Sequence, residues 1–426
     1  MALPPDHALG PRRPGHHRDR GQLRAALGYV ANRRSLRCDS RHARPTSLPQ
    51  RHGCVLFGFL RGLRAGTRGR GPRRAEYDHL VYFGTYTRGD VSKGIYVSRF
   101  SSMTGEVSDP ELAAELVNPS FVCFHPSGQN LYAVSETDDG TVVAYQIDRT
   151  TGKLTQLDTQ PTQGGSPCDL QVDSSGQMLA VANYGGGSTI SYRVGANGSI
   201  SAPTHFEQHE GSSVHPRQKA PHAHSIEYSP DNRFLFVCDL GKDQVLRYTI
   251  DATEATFAPS GAADLPPGSG PRHMAFHPSG KLCFTVNEIA STVSSFKYEA
   301  ESGAMTIVET VSTLPDGSTV ENNTTAEIRV HPNGRYLYAS NRGHNSLALF
   351  SIDETTGAIE RKANFLTEGK TPRCFAIAPG GRYLLAANQD SNDVVAFEVN
   401  ESTGELTATG RKLSVGMPVC VDYLAL

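Results

Sequence analysis

Six copies of one twelve-residue phrase constrain this chain more than any other feature: HPSGQNLYAVSE from His125, DSSGQMLAVANY from Asp173, SPDNRFLFVCDL from Ser229, HPSGKLCFTVNE from His277, HPNGRYLYASNR from His331 and APGGRYLLAANQ from Ala378. Their starts lie 48, 56, 48, 54 and 47 residues apart. A period of this length belongs to identical supersecondary units that stack or ring, so equal places in the phrase take equal places in space. In the unit from Ser120, the runs FVCF, LYAVSE, TVVAYQI and TGKLTQL read as four strands parted by turn signals. Four short strands per unit predict a blade of a β-propeller. A helical solenoid would instead show apolar residues at 3.6 spacing.

Six phrases leave strands over at both ends. VYFGTYT, GIYVSRF and the weaker VSDPELAAEL precede the first phrase, and PVCVDYLAL follows the last. Three strands and one make a seventh blade. The expected fold is all-β: a seven-bladed ring spanning residues 76–426, closed where the C-terminal strand, innermost in its blade, pairs with the N-terminal ones. Closure removes the open sheet edge that a linear array would expose.

Charge separates residues 1–75 from the rest. This stretch holds 17 Arg, no Lys and 3 Asp, a net of +14, against −16 for the remainder. It has no period and few large apolar residues, so it is expected to be disordered. It reads as an organelle transit leader, a basic arm for nucleic acid or anionic lipid, or a mis-assigned start. The remaining six cysteines, Cys123, Cys168, Cys238, Cys283, Cys374 and Cys420, form no CxxC pair and are expected to be buried free thiols. That usage predicts a cytoplasmic protein, or an organellar one if the leader targets it.

The repeat serves as an internal alignment for finding a site. The residue five places before each phrase begins the innermost strand: Ser120, Cys168, His224, Arg272, Ala326 and Arg373. The last residue of each phrase ends the second strand: Glu136, Tyr184, Leu240, Glu288, Arg342 and Gln389. Adjacent strands run antiparallel, so both columns ring one mouth of the central channel. Structural columns repeat their residues, as the turn Gly and the Asn at 183, 287, 341 and 388 do; the mouth columns vary. Their charged and titratable members, His224, Arg272, Glu288, Arg342 and Arg373, come from four consecutive blades. One imidazole, one carboxylate and three guanidiniums suit an anionic substrate and a proton transfer.

Plainer readings compete. Glu288 could simply neutralise Arg272 or Arg342. His222 and His224 in PHAHS have no third ligand at a convincing spacing, so no metal and no cofactor are expected. His125, His277 and His331 share one turn position and read as structural. A propeller that presents its mouth to a protein partner would offer aromatic anchors there; the chain has no Trp, and Tyr184 alone is aromatic in the two columns.

PHAHSIEYSPDNRFLFVCDLGKDQV, PRHMAFHPSGKLCFTVNE, HPNGRYLYASNRGHNS and TPRCFAIAPGGRYLLAANQDSNDVVAFEV resemble the seven-bladed propeller lactonases, a family that includes bacterial-type 6-phosphogluconolactonase and fungal carboxy-cis,cis-muconate cyclase. The resemblance covers about residues 79–426. It implies hydrolysis of a small anionic lactone, foremost 6-phospho-glucono-1,5-lactone of the pentose phosphate pathway, with neither nucleic acid nor membrane as partner. It carries the family's catalytic residues onto His224, Arg272, Glu288 and Arg342, with Arg373, His222, Asn388, Gln389, Tyr184 and Glu136 expected to bind substrate. Whether Glu288 or His224 is the base, and whether the substrate carries phosphate or only carboxylates, stays open at this level.

Overall fold

The computed structural model describes residues 76–318 and 320–426; the Arg-rich stretch of residues 1–75 lies outside them. Seven four-stranded antiparallel sheets form seven blades. In the closing blade, Pro418–Ala425 pairs with His79–Thr85, followed by Gly94–Phe100 and Glu111–Glu115. The register runs from His79 opposite Ala425 to Gly84 opposite Cys420, which is the closure expected from the leftover strands.

The phrase reads as a continuous apolar run because its strand is covered on both faces. Asn130–Ser135, Met178–Asn183, Phe234–Asp239, Leu282–Asn287 and Tyr383–Asn388 are buried at every residue. Each is pressed between neighbouring blades. One inter-blade cluster joins Tyr132 and Val134 to Leu170, Leu179, Val181, Ile190 and Tyr192. Outermost strands such as Leu154–Pro161 face solvent on one side and so mix polar with apolar residues.

The fourth residue of each phrase must turn the chain through a left-handed conformation. Gly128, Gly176, Asn232, Gly280, Gly334 and Gly381 have φ of 67°, 77°, 58°, 66°, 72° and 81° in that order. Glycine carries no Cβ penalty there, and Asn is the side chain that tolerates it best. The histidine that opens three of the phrases staples its turn to the next blade. Its ring Nε2–H donates to the carbonyl of the next turn glycine: His125 to Gly176 at 3.1 Å, His277 to Gly334 at 2.8 Å, His331 to Gly381 at 2.9 Å. The other nitrogen accepts a backbone N–H two residues on, from Ser127, Ser279 and Asn333. Where Asp173 replaces the histidine, Asn232 of the following blade reaches back to it at 2.8 Å. These histidines are structural, as their shared position implied.

A Cβ on Gly334 would stand 2.7 Å from His277 Nε2, on a residue with φ of 72°. Gly334→Ala is therefore expected to cost about 1–2 kcal/mol from the backbone conformation alone, with loss of the staple added. Urea unfolding should show a lower midpoint at unchanged slope; an unshifted midpoint would mean that the staple carries no stability.

Candidate active site

The innermost strands of five blades each carry one extra residue where they begin, in one of them between Thr325 and Ile328. In the other four, pairing slips between Pro167 and Asp169, Ala223 and Ser225, Pro271 and His273, and Pro372 and Cys374. The skipped residues are Cys168, His224, Arg272 and Arg373. A bulge leaves its extra residue out of the ladder and re-aims the side chain. It also lets two successive residues of one strand serve the channel, where strict alternation would turn one of them away.

A pocket of about 210 Å³ at this mouth is lined by Tyr86, Glu136, Cys168, Tyr184, Arg217, His224, Glu288, Arg342 and Arg373. Glu288 is its centre. Arg217 Nη2 stands 2.5 Å from Glu288 Oε1, while Arg342 Nη2 and Arg272 Nε lie 2.8 and 3.1 Å from Oε2. Burial, to 4% exposure, would by itself raise the carboxyl's pKa, but Arg342, Arg272 and Arg217 outweigh it and hold Glu288 down at about 2. The three arginines are not equivalent. Arg272 is buried, with Nη1 donating to the Ala326 carbonyl at 2.7 Å, and Arg342 donates to the Thr325 carbonyl at 2.7 Å. Arg217 has a side chain 41% exposed.

His224 sits beside this cluster as a neutral imidazole. Burial first, then the charge of Arg272, the neighbouring His273 and the charge of Arg373, press its pKa well below the usual histidine value. Its ring meets Tyr184 edge-on at 5.3 Å, and its Nδ1 is 3.7 Å from Cys168 Sγ. The opposite wall is built from Arg373, Tyr86 and Glu136. The Arg373 guanidinium lies 5.3 Å from the centre of the Tyr86 ring, whose hydroxyl donates to the Glu136 carboxylate at 2.9–3.0 Å. Burial opposes the charge on Arg373, yet Tyr86, Glu136 and Glu288 hold its pKa above the ordinary arginine value.

Three of the sequence-predicted binding residues stand elsewhere. Asn388 does not line the pocket: it is fully buried, and its Nδ2 donates to the Thr367 carbonyl at 3.1 Å and to Asp393 Oδ1 at 2.9 Å. It belongs to the structural asparagine column with Asn183, Asn287 and Asn341, which tie the same turn in their blades. Gln389 opens a short 3-10 turn and donates to its neighbour Asp390, outside the pocket. His222 stacks flat on Tyr184 at 4.5 Å and bonds its carbonyl at 2.9 Å, so it braces a lining residue without lining the pocket itself.

Two lining residues were not singled out from the sequence. Tyr86 follows the second strand of the closing blade and so occupies the seventh place in the column of Glu136, Tyr184 and Glu288; extending the alignment to FGTYT would have found it. Arg217 lies on the connection between Ile200–Gln208 and Ala223–Tyr228, the stretch that lengthens one repeat interval to 56 residues. Buried Gln218 anchors that loop, donating to the Leu240 carbonyl at 2.8 Å and to Asp243 Oδ1 at 2.6 Å.

A family described as lactonase, 7-bladed beta-propeller matches residues 80–423. The chain is 36% identical over 347 residues to a 6-phosphogluconolactonase of Bacillus subtilis, covering 81% of this chain and 98% of that protein. A crystal structure of a putative 6-phosphogluconolactonase from Bacteroides fragilis superposes with a TM-score of 0.77 at 35% identity, over 83% of this chain and 99% of that one. A periplasmic gluconolactonase of Pseudomonas aeruginosa gives the same TM-score at 32% identity, over 82% and 99%. With its seven blades, its closure and a match that spans the whole ring, this chain belongs to the seven-bladed β-propeller lactonase family.

Proposed function

We propose that the chain hydrolyses a sugar lactone, with 6-phospho-glucono-1,5-lactone as substrate and 6-phosphogluconate as product. The observation that carries this reading is a single buried carboxylate, Glu288, gripped by three guanidiniums beside a neutral histidine in a concave pocket. Relatives named 6-phosphogluconolactonase across nearly their whole length support it.

In the resting site Glu288 is too strongly paired to be a good base. Substrate binding changes the pairing. The phosphate engages Arg373, whose guanidinium makes no hydrogen bond among the described residues, together with Arg342, and it draws exposed Arg217 off the carboxylate. With less positive charge on it, Glu288 recovers basicity and takes a proton from water as the water oxygen attacks the lactone carbonyl. Arg272, buried behind Glu288 and fixed in place by Ala326, does not line the pocket but lends its charge to stabilise the negative charge that develops on the carbonyl oxygen. The tetrahedral intermediate collapses by breaking the bond to the ring oxygen. The proton held on Glu288 passes to that oxygen, and the new carboxylic acid ionises to solvent. His224, neutral and buried, orients the water.

His224 as the base would ordinarily place an inflection near neutrality, but its lowered pKa removes that signal. kcat/KM reports the free enzyme, and both candidate bases lose activity as pH falls through pKa values far below 7. The profile is expected to be flat from pH 6 to pH 8 once the phosphate's own ionisation at about pH 6 is corrected. A remaining inflection near neutrality would assign the rate to another group.

Muconate-type cyclisation, the other reading within the family, would use the same guanidiniums on substrate carboxylates. The first assay is hydrolysis of freshly prepared 6-phospho-glucono-1,5-lactone by the full chain, coupled to 6-phosphogluconate dehydrogenase. A rate above spontaneous opening is expected; a rate equal to it would move the search to unphosphorylated lactones and muconates. We place the protein in the cytoplasm, where six buried free thiols are stable.

A further inference from the structure

Below the mouth the channel changes sign. Ser225 and Glu227 follow His224 along one strand, about 3 and 10 Å deeper at the rise of a β-strand. With Asp169, His273, Arg329 and Asp422 they line a second cavity of about 240 Å³. Where the mouth gathers guanidiniums, this cavity gathers carboxylates, and Arg329 is its one guanidinium among the described lining residues.

That guanidinium is already engaged. Arg329 Nη2 lies 3.5 Å from Glu327 Oε2, and the same carboxylate takes His273 Nδ1 at 3.2 Å, the Ile328 backbone N–H at 3.0 Å and Cys374 Sγ at 3.5 Å. Glu327 is thereby satisfied and stays ionised. The other three acids feel the Arg329 charge only at longer range and take fewer hydrogen bonds. Among the described residues Glu227 accepts only from Gln171 Nε2 at 2.9 Å, and Asp422 only from the Tyr423 N–H at 2.8 Å. Asp169, 3% exposed, has Oδ2 4.0 Å from His273 Nε2 and no hydrogen-bond partner on Oδ1.

The neutral groups around them are likewise incomplete. His273 Nε2 and Ser225 Oγ are buried, in residues 5% and 3% exposed, and neither has a nitrogen or oxygen partner among the described residues, Ser225 lying against the Cys238 thiol. A buried histidine whose Nδ1 is held by a carboxylate and whose Nε2 is left open is the arrangement used to orient an imidazole toward a bound ion or its water. Buried polar atoms without partners are uncommon in native proteins and call for an unseen ligand or ordered water.

We propose that this cavity is a cation site, separate from the mouth chemistry, which takes a hydrated divalent ion of the magnesium class between Asp169, Glu227, Asp422 and His273. Hydration follows from spacing. Among the described residues no three His, Cys, Asp or Glu side chains converge closely enough to hold one bare metal ion. An ion here touches one or two carboxylates and reaches the rest, with Ser225 Oγ and His273 Nε2, through its own waters. Magnesium keeps its water shell in this way more readily than calcium does. The ion's place is structural: it cancels charge where the innermost strands of five blades meet.

The test is thermal unfolding of the full chain, stripped with a chelator and titrated with MgCl2 at constant ionic strength set by NaCl. The midpoint is expected to climb with the logarithm of Mg2+ concentration once the site's Kd is passed. In the Asp169→Asn/Glu227→Gln double variant the apparent affinity should fall at least about tenfold. Its cation-free midpoint should equal or exceed that of the parent, because two buried and poorly compensated carboxyl groups are gone. Calorimetric titration of the unaltered chain gives a second readout that needs no variant, with one Mg2+ per chain expected. No heat and no shift, a shift that NaCl reproduces, or full affinity in the variant would each overturn the site. Stabilisation by putrescine but not by Mg2+ would overturn the metal assignment.

Discussion

Glu288→Gln should lower kcat/KM for 6-phospho-glucono-1,5-lactone about a thousandfold, within the range measured when a positioned general base is removed. Glutamine keeps the volume and one acceptor oxygen but cannot take the proton. It also leaves Arg217, Arg272 and Arg342 without the carboxylate that lies within 3.1 Å of all three. The variant must therefore be shown to fold, by circular dichroism and by its unfolding midpoint. A folded variant that retains activity within about threefold of the parent would remove Glu288 from the base role and leave His224→Asn as the next substitution, since threefold is far below any general-base contribution.

The second large effect concerns which substrate the mouth reads. Arg373→Met keeps an unbranched apolar stem beside Tyr86 and deletes the guanidinium. Truncating one partner of a buried charge pair costs about 2–5 kcal/mol, so kcat/KM for the phosphorylated lactone is expected to fall about a hundredfold or more. Unphosphorylated glucono-1,5-lactone, which presents no anion to that wall, should lose only a few fold. The two substrates measured side by side decide the matter. Equal losses on both would mean that Arg373 shapes the pocket without reading phosphate, and would bring the site closer to the Pseudomonas aeruginosa relative named as a gluconolactonase.

The Arg217 loop separates two parts of the mechanism. If the substrate draws this arginine away from Glu288, Arg217→Ala should raise KM for the phosphorylated lactone about tenfold through the lost charge-assisted contact. It should lower kcat much less, because the variant's Glu288 is already freed of one guanidinium. A fall in kcat as steep as the rise in KM would show instead that Arg217 acts in the chemical step.

Much of this was legible from one sequence because a repeat converts register into position. The phrase predicted the blades, and the leftover strands predicted the closure seen in the pairing of Pro418–Ala425 with His79–Thr85. Both are local consequences of strand periodicity and turn residues. The two mouth columns likewise contained Glu136, Tyr184, His224, Glu288, Arg342 and Arg373, all of which line the pocket, since antiparallel geometry alone carries those positions to one edge. Tertiary structure decided what local pattern does not encode. Arg217 reaches Glu288 along a loop whose path depends on the buried Gln218 and Asp243 anchor. Asn388, one residue from a mouth position, turns into the blade because Thr367 and Asp393 satisfy it there. The charge state of His224 follows from how thoroughly four blades remove water from it and which arginines they bring near. Desolvation and long-range charge are properties of the assembled ring, so they appear only when the blades are in place.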